Sequence, residues 1–229
     1  MQDALGSAGS SGGVWAVLVA AGRGERLAAD RPKAFVRLGE RVLLAEPLER
    51  LEASDWIDAI VVVAPAEWEE PTILLAEELG CGKVTAVVTG GSTRAESVRI
   101  ALAEVPDEAV VVVVHDAARP LLEDAVIERV LAPLGEGFDG AVPGLPISDT
   151  VKRVEGRVVT ETLDRERLVA VQTPQAFLVS ALKAAAAGEG TDCASLVEAR
   201  GGRIAVVDGD PRLLKVTTAE ELALVASWL

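Results

Sequence analysis

Short apolar runs recur along the chain, and between them apolar residues return at helical spacing. The runs at 14–20, 60–64, 84–88, 110–114, 140–143 and 204–207 predict strands. The periodic stretches predict helices over 47–53, 68–79, 94–103, 123–134, 176–187, 194–200 and 219–229. Val110-Val111-Val112-Val113-Val114 has no polar alternation, as a strand covered on both faces requires. Strands alternating with helices predict an α/β fold, a three-layer, Rossmann-like, mainly parallel sheet over residues 14–229. Residues 1–13 are rich in Gly, Ser and Ala without periodicity and read as a flexible leader.

One segment breaks this rhythm. Residues 148–164 mix polar and apolar positions around Glu155-Gly156, which predicts an inserted β-hairpin within an arm at about 147–168. A two-stranded hairpin is marginal by itself. It therefore leans either on its own domain or on a second subunit.

Composition narrows the setting. The chain has 229 residues and 22 basic against 36 acidic side chains, for a net charge of −14. That balance opposes binding to nucleic acid or an anionic membrane, so an anionic ligand must be held by a local basic cluster. No apolar run reaches membrane-spanning length, and no basic segment precedes an apolar one at the N-terminus. Two cysteines and one histidine exclude a disulfide scaffold and a zinc site built on several histidines. A cytoplasmic protein is expected.

In open α/β sheets ligands bind beyond the carboxyl ends of the strands, so those ends carry the candidate chemistry. After the first strand come Gly22, Arg23, Gly24, Arg26 and Lys33. Leu27 stands where a dinucleotide fingerprint needs a small residue, and no Gly-Lys-Ser/Thr closes a P-loop. What remains is a small-residue loop open to an anion with two cations nearby, or a plain turn ending a buried strand. After the third strand comes Gly90-Gly91-Ser92-Thr93-Arg94-Ala95-Glu96-Ser97, whose hydroxyls suit a base edge or a phosphate. After the valine run comes His115-Asp116-Ala117-Ala118-Arg119-Pro120. Asp116 suits a Mg²⁺ ion, held directly or through water, a substrate hydroxyl, or the cap of the next helix. His115, beside a buried strand, reads as a hydrogen-bonded structural residue rather than a general base.

These segments, with Asp149-Thr150-Val151-Lys152-Arg153, Asp164-Arg165, Gln172-Thr173-Pro174-Gln175, Thr191-Asp192 and Lys215-Val216-Thr217, resemble 2-C-methyl-D-erythritol 4-phosphate cytidylyltransferases. The likeness runs in order from about residue 14 to 229. It departs from the family pattern at Ser92 and Cys193, where acidic residues are common.

The resemblance implies transfer of CMP from CTP to methylerythritol phosphate, with Mg²⁺ and release of pyrophosphate, on the non-mevalonate route to isoprenoids. Arg26, Lys33, Arg165 and Lys215 are then the catalytic cations. The nucleotide is expected on Ala20, Ala21, Gly22 and Gly24, on Gly90, Gly91, Arg94 and Ser97, and on Asp116 and Ala117. The polyol phosphate is expected on Asp116, Arg119, Thr150, Arg165, Thr173 and Thr191, and Asp116 is the candidate metal ligand. The hairpin becomes a dimerisation arm of a homodimer, with Arg165 serving the neighbouring site. Another polyol phosphate, such as ribitol 5-phosphate, would use the same CTP machinery. A nucleotide-binding module without turnover would not need Arg26, Lys33, Asp116 and Lys215 together.

Overall fold

A computed structural model describes residues 12–22, 24, 27, 30–188, 190 and 192–229. In chain order its first elements are β1 (Val14–Val19), β2 (Arg37–Leu38), β3 (Arg41–Val42), α1 (Ala45–Ala53), β4 (Ala59–Ala64), α2 (Glu69–Glu78) and β5 (Val84–Thr89). There follow α3 (Arg94–Leu102), β6 (Val111–Asp116), α4 (Asp124–Leu131), β7 (Gly140–Pro146), β8 (Lys152–Glu155) and β9 (Val158–Thr162). The last are β10 (Val169–Val171), β11 (Gln175–Leu178), α5 (Val179–Ala185), α6 (Cys193–Glu198), β12 (Ile204–Asp208) and α7 (Ala219–Ala226).

The large sheet runs β10-β7-β11-β6-β1-β4-β5, with β12 also paired to β7. The β1–β4, β1–β6, β4–β5 and β7–β12 pairs are parallel, while β11 and β10 run antiparallel to their neighbours. This is the expected mainly parallel α/β sheet. Alternate strand residues face opposite layers, as the pleat dictates. Leu18, Ile60, Val62 and Val113 pack with Leu48 and Leu51 of α1 and Ile127 of α4. Val17, Val61, Val63 and Val114 pack on the other side with Val98 of α3 and Leu182 of α5. Apolar burial on both faces explains why the valine runs lack alternation.

Three details differ from the sequence reading. The segment expected as one helix over 176–187 divides into strand β11 and helix α5. Phe177 decides this, because its ring is fully buried in the second layer while β11 fills the gap between β6 and β7. The strand expected at 110–114 runs on to Asp116, so Asp116 ends β6 and does not cap a helix. The short strands β2, β3 and β10 were not anticipated. The hairpin is present as β8 and β9, with Gly156 in its turn, and every residue of both strands is exposed.

The chain passes from β1 to β4 and β5 on one side, then crosses to β6 on the other. The switch point therefore opens between the carboxyl ends of β1 and β6. Val19 and Asp116 are partners there, and Ala64 pairs Thr89 at the ends of β4 and β5.

Candidate active site

A cavity of about 320 Å³ lies at this switch point. Its wall includes Ala20, Ala21, Gly22 and Lys33 from the first loop, and Gly91, Arg94 and Ser97 from the third. Asp116, Ala117 and Lys215 complete the predicted set that meets there. Ser92, Thr93 and Ala118, which stand in the quoted motifs but were not named as binding residues, also line it, as do Val19, Ala34 and Leu43. Ala34 and Leu43 escaped because they flank β2 and β3, too short to show a period.

Close packing of small residues shapes the cavity. A Cβ at Gly90 would overlap the Ala21 methyl, and one at Gly91 would overlap the Glu96 side chain. Gly24 has φ of 68°, and a Cβ there would lie 2.6 Å from Lys33 Cβ, so this glycine lets the loop back onto the lysine. Gly22 has open space where a Cβ would be. The amides of Gly90, Gly91 and Ser92 donate to Ala64 O, Ser97 Oγ and Glu96 Oε2. Ligand recognition on this loop must therefore use groups other than those three donors.

Asp116 is the electrostatic centre. Arg94 Nε donates to its Oδ1 at 2.9 Å, and Lys215 Nζ to its Oδ2 at 2.7 Å. Burial pushes the carboxyl up, but Arg94 and Lys215 outweigh burial and hold it well below the usual carboxylate range. Arg94, expected on the nucleotide, thus points its charge at Asp116, and its Nη1 donates to buried Cys193 Sγ at 3.5 Å. Burial raises the Cys193 thiol. No group of three or more His, Cys, Asp or Glu side chains able to hold a metal ion occurs among the described residues.

Lys215 is placed by the loop around it. Gln172 clamps the Asp210 backbone, donating to its oxygen at 2.9 Å and accepting from its nitrogen at 3.0 Å. Arg119 Nη1 donates to Leu213 O, Val216 N donates to Ala118 O, and Leu213 and Val216 are fully buried on either side. Lys33 Nζ donates to Val216 O at 3.2 Å, which brings the two lysines to one turn of chain.

Other expected residues lie around this centre or away from it. Thr173 Oγ1 accepts the Asp116 amide at 3.0 Å, behind the cavity wall. Arg119 makes no ion pair among the described residues, and its buried Nε has no hydrogen-bond partner. Thr150 and Arg165 are exposed near the arm, where Arg165 Nη1 donates to Ser148 O. Neither lines this chain's cavity. Arg26 and Thr191 fall outside the described residues. His115 is fully buried, and burial lowers its ring to about 4, which matches a structural role.

The family model for "IspD: 2-C-methyl-D-erythritol 4-phosphate cytidylyltransferase" matches residues 14–229. The chain belongs to this cytidylyltransferase family. The Nocardia farcinica 2-C-methyl-D-erythritol 4-phosphate cytidylyltransferase is 43% identical over 228 residues, covering 98% of this chain and 97% of that protein. The Saccharopolyspora erythraea protein of the same name is 44% identical, covering 94% and 99%. Among solved structures, the Thermus thermophilus cytidylyltransferase superposes with a TM-score of 0.75 at 32% identity, covering 93% of this chain and 96% of that one. A crystal structure of a 4-diphosphocytidyl-2C-methyl-D-erythritol synthase gives 0.80 at 32% identity, covering 94% and 98%. The chain thus resembles cytidylyltransferases of this family in both sequence and fold.

Proposed function

We infer that this protein transfers CMP from CTP to 2-C-methyl-D-erythritol 4-phosphate, giving 4-diphosphocytidyl-2-C-methyl-D-erythritol and pyrophosphate in isoprenoid precursor biosynthesis. The observation that carries the reading is the cavity of a family member, at the switch point, whose wall brings Lys33 together with Asp116 and the two cations paired to it, Arg94 and Lys215. In the reaction an acceptor phosphate oxygen attacks the α-phosphorus of CTP, and the bond to the β-phosphate oxygen breaks. Both reactants are anions, so the protein must hold them together and balance charge at the α-phosphorus. No covalent enzyme intermediate is needed.

The residue roles are our proposal. Lys33, with Arg26, stabilises the transition state and the departing pyrophosphate. Lys215 leaves Asp116 for the acceptor phosphate. The base and ribose lie along Ala20, Ala21, Gly22, Gly91, Ser97 and Ala117, with Gly24 and Gly90 shaping the loops behind them. Arg94 acts on the nucleotide side by fixing Asp116. Arg119, which makes no ion pair among the described residues, serves the polyol phosphate, along with Thr150, Thr173 and Thr191.

The only carboxylate lining the cavity among the described residues is Asp116, and both its oxygens engage cations. This set fits a Mg²⁺ ion that arrives with the triphosphate: Asp116 would hold it, directly or through water, with the carboxylate oxygen that Lys215 gives up. When bound, Mg²⁺ would neutralise triphosphate charge and polarise the α-phosphorus.

Homodimerisation through the arm at about 147–168 is part of the proposal. Val154, Val158 and Val159 on the arm, with Val169 and Val171 on β10, are all exposed. An apolar surface of this kind suits a second copy, which would receive Arg165. A cytoplasmic location is supported by two free, buried cysteines. Among the described residues no helix is long and apolar enough to cross a membrane.

Turnover with CTP should favour methylerythritol phosphate over ribitol 5-phosphate by at least tenfold in kcat/KM. Equal or reversed preference would assign the chain to another polyol phosphate.

A further inference from the structure

His115 has no part in the transfer as described, yet it is the chain's single histidine and is fully buried beside Asp116. Its Nε2 lies 3.0 Å from the Arg119 carbonyl oxygen, and its Nδ1 lies 3.2 Å from Thr173 Oγ1. That same Thr173 oxygen receives the Asp116 backbone N–H. One ring therefore ties together three residues assigned to the polyol phosphate.

The partners fix the polarity of every bond. A carbonyl oxygen can only accept, so Nε2 carries the ring hydrogen. A second ring hydrogen would place a charge in a buried site where, among the described residues, no carboxylate is bonded to the ring. Nδ1 is therefore bare, and the Thr173 hydroxyl must donate to it. With its hydrogen directed at His115, the Thr173 oxygen faces the Asp116 amide as an acceptor. The chain of donors runs from Asp116 N–H through Thr173 O–H to His115, and from His115 Nε2–H to Arg119.

We propose that His115 is a positioning residue of the acceptor site, a neutral Nε2–H ring that locks Thr173, Asp116 and Arg119 in one arrangement. The proposal rests on the transfer reading above for its effect on turnover, but its hydrogen-bond pattern is independent of that reading. Asp116 is held at its backbone, Arg119 at its carbonyl and Thr173 at its hydroxyl. Loss of the ring would release all three, whereas Lys33 keeps its own bond to Val216 O.

Two measurements test this. In untagged protein labelled with ¹⁵N at histidine, the single imidazole at pH 7 should show a protonated nitrogen at Nε2 and a bare nitrogen at Nδ1. Thr173→Val should shift the Nδ1 resonance and leave Nε2 nearly unchanged. An Nδ1–H form, a rapid average of both forms or a charged ring would overturn the proposal. In steady-state kinetics, His115→Phe should raise the KM for methylerythritol phosphate roughly tenfold, the scale of one buried hydrogen-bond network lost. The KM for CTP should rise less than threefold. His115→Gln, whose amide can donate to Arg119 and accept from Thr173, should return the acceptor KM to within about threefold of the parent. A folded His115→Phe with unchanged acceptor KM, or equal rises in both KM values without recovery in His115→Gln, would also overturn it. If the parent enzyme transfers nothing to methylerythritol phosphate, the functional reading fails, and the resonances alone decide the role of the ring.

Discussion

Lys33 and Lys215 reach the cavity from opposite ends of the chain, and both are organised by the short segment from Leu213 to Val216. Lys33 donates to Val216 O while Lys215 pairs with Asp116. Charge at the transferred phosphorus should then depend on Lys33 directly. We expect Lys33→Ala to lower kcat by about two orders of magnitude or more, as loss of one preorganised donor does elsewhere. Near-normal turnover would remove Lys33 from the chemistry. His115 carries a separate, pH-dependent signature. Its ring titrates near 6.5 when unfolded and at about 4 when buried, so the unfolded chain takes up the proton first. Stability from the neutral ring is complete above pH 6.5 and is lost as pH falls toward 4, by on the order of 3 kcal/mol. Asp116 acts in a lower window, because its depressed carboxyl loses its contribution only as pH falls below the ordinary 3.8. Urea midpoints at pH 7 and pH 4.5 should therefore differ strongly in the parent and much less in His115→Gln. An equal shift of the midpoint between the two pH values in both proteins would contradict this assignment.

At the scale of elements, the arm is the part that its own domain does not explain. Strands β8 and β9 are exposed throughout, and Arg165 sits beyond them on the surface. If Arg165 acts in the neighbouring site, subunits carrying Arg165→Ala mixed with subunits carrying Lys33→Ala should regain activity, because one site per heterodimer holds both intact residues. Verified heterodimers without recovery would assign Arg165 to its own subunit. The sequence made the parallel strands legible because their valine runs are buried on both faces, and it made the hairpin legible through Glu155-Gly156. It concealed β11, because Gln175-Ala176-Phe177-Leu178 has no β-branched residue and runs straight into α5. Pairing with β6 and β7 decides that segment, and such pairing is not local. The site followed the same rule. Lys33, Arg94 and Asp116 were legible as polar residues after strand ends, whereas Lys215 stood out only through the family resemblance. The engagement of Arg94 with Asp116 was not, since 22 residues separate them and only the sheet brings them together.

The whole molecule carries a net charge of −14, yet the cavity wall holds three cations, Lys33, Arg94 and Lys215, and one carboxylate, Asp116. Such a distribution repels polyanions in general while leaving one local site for a small anion. The switch point supplies the place, the small-residue loops supply close approach, and the Leu213–Val216 segment ties the far end of the chain to the first loop. This arrangement has one central consequence, transfer of a cytidylyl group between two small anions. The direct measurement is pyrophosphate release from CTP with methylerythritol phosphate, run beside ATP, GTP and UTP. We expect release with CTP that depends on the polyol phosphate and is at least tenfold faster than with the other three nucleotides. Pyrophosphate that never appears with CTP and methylerythritol phosphate, although CTP binds, would contradict the account.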